Sequence, residues 1–209
     1  MEQQDEQERT LSPRMVEAID LAFRLHGHDT RKECKVPYLA HVLNVCALVI
    51  QDGGDEDEAV AALLHDALED KPEKIKVREI KARFGGKVAE IVTLCTDTKK
   101  GFKGGDKGPW RERKERYLME IKHHDPALLR VTVADKIDNA RAIIFDHKHV
   151  GERVWKRFKA GRDEQLWYYG AALQVYRDVG FKGPLLEDLG ALVEELKLLS
   201  GVTWPPDGA

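Results

Sequence analysis

The chain has 209 residues, of which 42% are apolar, 34% charged and 7% aromatic, with a formal net charge of −3 at pH 7. That balance offers no bulk attraction to nucleic acid or to an anionic membrane, and no apolar run approaches the ~20 residues that span a bilayer, so neither is expected as a partner. Cys34, Cys46 and Cys95 are scattered and form no Cys-x-x-Cys pair, which argues against a disulfide or zinc framework and for a reducing, cytoplasmic setting.

Residues 1–11 are polar and acidic and read as a disordered tail, with neither a signal peptide nor an anchor. Ser12-Pro13 is a helix start, and Met15, Val16, Ile19, Ala22 and Phe23 then recur at helical spacing as far as Gly27. Residues 28–37 form a polar loop with Arg31, Lys32 and Lys35. A second helix is expected from about Leu39 to Ile50, stopped by Asp52-Gly53-Gly54. Asp55 to Glu58 has the form of a capping box. It opens a third helix, which ends in the segment Leu63-Leu64-His65-Asp66-Ala67-Leu68-Glu69-Asp70.

Val77 to Phe84 and Lys87 to about Leu94 read as short helices around Gly85-Gly86. Thr96 to Pro109 holds four glycines and four lysines, among them Lys99, Lys100, Lys103 and Lys107, and is the longest expected loop. Trp110 to His123 is a highly charged helix. Asp125-Pro126 repeats the cap-plus-proline start, with a long helix to about Phe145. Gly151 to Phe158, Asp163 to Val179 and Pro184 to Leu199 complete a set of eight to ten helices, and residues 201–209 form a tail. No alternating strand pattern occurs. The expected class is all-α, a single domain over residues 12–200 packed around a buried polar site.

In an unbroken helix, His65 and Glu69 share one face, and Asp66 and Asp70 the adjoining one. Read alone, the stretch is equally a helix end frayed into water. His41 lies in the first turn of the second helix, where a lone histidine is more commonly a packed or capping residue. Asp135 lies within the apolar run Leu128, Leu129, Val131, Val133 and Ala134, where a charged aspartate needs a partner or a metal. Asn139 is one turn beyond it, on the same face. Together His41, His65, Asp66 and Asp135 supply two imidazoles and two carboxylates, a set suited to a divalent first-row metal. Glu69 and Asp70 remain as nearby acids able to hold or deprotonate a water.

The order His41…His65-Asp66…Asp135 resembles the HD superfamily of metal-dependent phosphohydrolases. More narrowly, three segments resemble the hydrolase domain of RelA/SpoT proteins and the small stand-alone (p)ppGpp hydrolases. They are His26 with Arg31-Lys32 and Pro37-Tyr38-x-x-His41, then Leu63-Leu64-His65-Asp66-x-x-Glu69-Asp70, and Ala134-Asp135-Lys136-x-x-Asn139-x-Arg141. The resemblance implies an HD-type helical bundle with one metal ion, usually manganese, on His41, His65, Asp66 and Asp135. It implies Glu69 and Asp70 as the pair that activates water, and Arg31, Lys32 and Asn139 as nucleotide contacts. The implied reaction removes pyrophosphate from the 3′ position of a guanosine polyphosphate and leaves GDP or GTP; no synthetase segment is expected.

Three features depart from that pattern. Val42 follows His41 where proline is usual. Asp138 stands where the larger enzymes commonly carry histidine, and is expected either to repel a polyphosphate or to bind a second cation. The region from Thr96 through the helix at Trp110 also differs. His123-His124 reads as a solvated helix end, the glycine-lysine loop as a surface loop with a weaker reading as a phosphate cover, and the helix from Trp110 as a solvated charged face. Trp167 and Tyr168 are candidates to stack on a base. Three rival readings stand beside the main one: an HD hydrolase of another nucleotide or phosphoester, a nucleotide sensor without turnover, and a helical module without metal.

Overall fold

Capping chemistry starts the first helix. The Ser12 hydroxyl accepts the Arg14 N–H, and Pro13 occupies the first turn of α1 (Pro13–His26). The computed structural model describes residues 11–31, 35–98 and 102–201. Among these, ten α-helices and two short 3-10 segments form, and the β-structure is a single bridge between Thr30 and Pro37. The class is all-α, as expected. Among the described residues no helix is long and apolar enough to cross a membrane.

Helix α2 (Tyr38–Gln51) ends at Asp52-Gly53-Gly54. Gly53 takes φ 83°, the left-handed region that glycine enters freely. A Cβ on Gly54 would lie 2.8 Å from the Val49 carbonyl oxygen, so the turn closes only on glycine there. The capping box forms as read: the Asp55 carboxylate accepts the Glu58 N–H, and the Glu58 carboxylate accepts the Asp55 N–H, each at 3.0 Å.

Helix α3 (Glu56–Leu64) is the hub. Ala59, Val60, Ala61, Ala62, Leu63 and Leu64 are fully buried, and the three alanines let α1, α2, α6 (Gly86–Leu94) and α8 (Arg130–Val150) pack against one short rod. Helix α3 ends in the His65-Asp66 segment. It stops at Leu64, and Asp66 takes φ −93° and ψ −3°, which flattens the turn before α4 (Ala67–Asp70). The Asp70 N–H bonds the Asp66 carbonyl at 2.9 Å and closes the single turn of α4.

Helix α5 (Val77–Phe84) packs on α6, while α7 (Trp110–Ile121) packs on α9 (Gly161–Asp178). Two expectations shift. Asp125-Pro126 starts only a 3-10 turn over Pro126–Leu128, and the long helix α8 begins at Arg130 and runs to Val150. Gly151–Arg157 is 3-10 rather than α-helical. Helix α10 (Pro184–Ser200) lies along α8 and α9. Helix α8 thus touches α2 and α3 as well as α10, and it is the element that joins the two halves of the core. At its start, Arg130 Nε bonds buried Asp52 at 2.8 Å and its guanidinium also pairs with buried Glu58, tying α8 to α2 and α3.

Candidate metal centre and substrate cavity

The α2–α3–α8 packing brings together segments far apart in the chain. His41 Nε2 lies 3.2 Å from His65 Nε2, 3.2 Å from Asp135 Oδ1 and 3.6 Å from Asp66 Oδ2. His65 Nε2 lies 3.0 Å from Asp66 Oδ2 and 3.6 Å from Asp135 Oδ1. Both rings are almost fully buried. Ligands bound at roughly 2.1 Å sit about 3.0 Å apart at right angles and about 3.4 Å apart in a tetrahedron. The donor atoms of His41, His65 and Asp66 make a group able to hold one small divalent cation, and Asp135 Oδ1 lies within 3.6 Å of both imidazoles.

Each of these side chains has a second partner that aims it. His65 Nδ1 donates to the Ala62 carbonyl at 2.8 Å, which leaves Nε2 as the free lone pair. Tyr38 Oη donates to Asp66, Lys136 Nζ to Asp135, and Asn139 Nδ2 to Asp135 at 2.6 Å. His41 Nδ1 is 2.6 Å from Asp138 Oδ2. Such outer contacts orient metal ligands and raise their basicity.

The electrostatics point the same way. Burial disfavours a charged His41, but the carboxylates of Asp135, Asp138 and Asp66 outweigh it and lift the ring to about 9. Burial also opposes the charge on Asp135, yet Lys136 and the two imidazoles hold it well below the ordinary aspartate range.

Asp138 corrects an expectation. It does not line the cavity, and its carboxylate is spent on three partners: His41, Arg31 Nη1 at 2.7 Å and Asn44 Nδ2 at 2.9 Å. It neither faces a polyphosphate nor stands open to a second cation. Arg31 reaches it from the loop before α2, held by its N–H bond to the Val36 carbonyl at 2.9 Å, and its Nη2 also bonds Asn139 Oδ1 at 2.6 Å. His26, the first residue of that motif, is buried and bonds Asp29 at 3.0 Å, which steadies the same loop. Lys32 lies outside the described residues, as do Cys34, Lys99 and Lys100.

Asp66 and Asp135 line a cavity of about 320 Å³. Glu69, Asp70, Arg31 and Asn139 line it, as do the cations of Lys107, Lys114, Lys136 and Arg157 and the rings of Trp110, Phe158 and Tyr168. Lys107 comes from the long loop and lies 2.9 Å from Glu69 and 3.0 Å from Asp70. Burial, followed by the nearby Asp97 charge, raises the Glu69 carboxyl above its ordinary value. Tyr168 is buried against the cavity, and its hydroxyl has no partner among the described residues. Trp167 faces elsewhere, stacked under Arg111 at 3.3 Å. His123 and His124 fall in the turn after α7 and do not line the cavity.

Sequence reasoning missed Asp97 and half of α7. Asp97 is buried, donates its N–H to Glu69 at 3.2 Å, and pairs with Lys114 at 2.7 Å and with Arg113. Helix α7 therefore turns Trp110, Arg113 and Lys114 inward rather than presenting only a solvated face. The signal was present: Trp110, Arg113, Lys114 and Tyr117 share one stripe at helical spacing.

Residues 18–165 match the family model described as HD domain. A guanosine-3′,5′-bis(diphosphate) 3′-pyrophosphohydrolase of Aquifex aeolicus is 33% identical over 127 residues, which is 60% of this chain and 17% of that protein. The enzyme of the same name from Xenopus tropicalis is 35% identical over 130 residues, 61% of this chain and 68% of that one. The chain thus spans less than a fifth of the Aquifex protein and about two thirds of the Xenopus protein. Among solved structures, a metazoan ortholog of SpoT, described as hydrolysing ppGpp, superposes with a TM-score of 0.71 at 23% identity, over 89% of this chain and 97% of that one, a likeness of fold. A protein of Listeria monocytogenes EGD-e superposes with a TM-score of 0.64 at 30% identity, over 74% of this chain and 96% of that one. With the family model covering residues 18–165, most of the sequence, the chain belongs to the HD-domain family.

Proposed function

We propose that this protein is a metal-dependent phosphohydrolase that removes the 3′-pyrophosphate of a guanosine polyphosphate, yielding GDP or GTP and pyrophosphate. The observation that carries this reading is the grouping of His41, His65 and Asp66, with Asp135 against both imidazoles, beside a cation-lined cavity that Asp66 and Asp135 line. Relatives named for that reaction in Aquifex and Xenopus supply the substrate.

His41, His65, Asp66 and Asp135 would hold the cation, with manganese as the metal of this reading. When bound, it supplies positive charge opposite phosphoryl oxygens and acidifies water. Glu69 Oε holds the attacking water and takes its proton, a role suited to a carboxyl raised by burial. Asp70 sits beside it at the rim. Arg31, Lys107, Lys114 and Arg157 set cationic groups around the phosphates. Arg31 and Asn139, bonded to each other, form the nucleotide contact next to Asp135, with Lys32 as their third member. Tyr168 and Phe158 offer ring faces to the nucleoside. Asp138, turned onto His41, does not line the cavity, so its charge does not favour binding without turnover.

Purified protein with added manganese is expected to release pyrophosphate from ppGpp. Activity disappears in Asp66→Ala and falls sharply in Glu69→Ala. Protein that binds manganese yet leaves ppGpp intact while cleaving another phosphorylated nucleotide in the same assay overturns the substrate and keeps the metal centre.

A further inference from the structure

The two histidines of the donor cluster are not equivalent. His65 rests its Nδ1 on a neutral backbone carbonyl, that of Ala62, at 2.8 Å. His41 rests its Nδ1 on a carboxylate, Asp138 Oδ2, at 2.6 Å. We propose that Asp138 is a positioning residue for the metal centre. It accepts the Nδ1–H of His41 and turns Nε2 of that ring toward His65 and Asp135. The inference rests on the reading of His41 as a metal ligand.

The chemistry of the contact carries it. An ionised carboxylate only accepts hydrogen bonds, so the imidazole nitrogen facing it carries the proton and the opposite nitrogen is left with its lone pair. That opposite nitrogen, Nε2, is the atom 3.2 Å from both His65 Nε2 and Asp135 Oδ1. A carboxylate behind an imidazole also raises its basicity more than a neutral carbonyl does.

Asp138 is also built into its place. A buried carboxylate needs compensation, and its side chain is only 8% exposed. Arg31 Nη1 supplies the countercharge at 2.7 Å on the same oxygen, and Asn44 Nδ2 takes the other oxygen at 2.9 Å. Asn44 is one turn beyond His41 on α2, so one helix carries both the ring and the group that pins its carboxylate. Three elements, α2, α8 and the loop before α2, thus converge on an aspartate that does not line the substrate cavity.

The test is manganese titration calorimetry on the full chain after chelator treatment, in a two-by-two set. Asp138→Asn is expected to weaken manganese binding about 10- to 100-fold relative to the unsubstituted protein. In a His41→Ala background, the same substitution is expected to change the affinity by less than about twofold, because a group acting through the ring has nothing left to act on. Unchanged affinity in Asp138→Asn overturns the proposal while leaving the metal centre standing. An equal loss in both backgrounds also overturns it, since that is the signature of a general charge or packing effect. No manganese binding by the unsubstituted protein removes the metal centre itself and this role with it. Should circular dichroism show Asp138→Asn unfolded, Asn44→Ala carries the same test, with a weakening expected only when His41 is present and no weakening overturning the role.

Discussion

The Lys107 ammonium lies 2.9 Å from the Glu69 carboxylate, so a residue of the glycine-rich loop bears on the group assigned to the attacking water. Burial and Asp97 push the Glu69 carboxyl up, while Lys107 and Lys114 pull it down. A general base acts in its ionised form. Lys107→Met removes one opposing cation, so the carboxyl rises and the acid limb of kcat/KM against pH moves to higher pH. Glu69→Gln is expected to cost about 10²- to 10⁴-fold in kcat. A pH-rate profile of Lys107→Met that is lowered equally at every pH would make Lys107 a substrate contact with no influence on the base.

A cation that binds only the folded cluster must also stabilise the fold. At a free concentration 100 times its dissociation constant, it adds about 2.7 kcal/mol, or roughly 5–10 °C in Tm for a chain of this size. Thermal melting of chelator-treated protein with and without manganese is expected to show that rise. Asp66→Ala is expected to abolish it, because one of the converging donors is gone while the helices around it remain. A Tm independent of manganese in the unsubstituted protein would count against the whole site.

Much of this arrangement was legible in the chain. Asp135 stood out as a charge inside an apolar run, and His65-Asp66 as polar groups at the end of a buried helix; both readings follow from the cost of burying charge without a partner. Helix starts at Ser12, Asp55 and Pro184 were legible because capping and proline signals act within a few residues. What escaped were pairings between distant segments. Nothing within four residues of Asp97 indicates that Arg113 and Lys114 come back to it, and nothing beside Asp138 indicates that it turns onto His41 rather than into the cavity.

One of those distant pairings bears on stability alone. Arg130 bonds Asp52 at 2.8 Å and also pairs with Glu58, and both carboxylates are buried. Arg130→Met keeps most of the side-chain volume and leaves two buried acids without their shared countercharge. The expected loss is about 3–5 kcal/mol, read as a lowered urea midpoint with an unchanged slope. Adding Asp52→Asn to that variant is expected to recover part of the loss, since one of the orphaned charges is removed. A loss below about 1 kcal/mol would mean that water reaches the pair and screens it as it does at a surface.

Asp97 makes the matching case for pH. Burial opposes its charge, but Lys114 and Arg113 outweigh burial and hold the carboxyl below the ordinary value of 3.8. The folded state therefore binds this proton less readily than the unfolded chain. The resulting stabilisation is complete above the ordinary value and is lost as acidification carries the carboxyl through its depressed folded value. Unsubstituted protein is expected to lose stability as the pH falls from about 5 toward 2. Asp97→Asn is expected to start lower at pH 7, because Lys114 and Arg113 lose their partner, and to fall less over the acid interval. Asp29 and Asp55, which are also held low, are present in both proteins, so the difference between the two curves isolates Asp97. Urea midpoints at each pH supply the curves; parallel curves would show that the Asp97 cluster is held by packing rather than by charge.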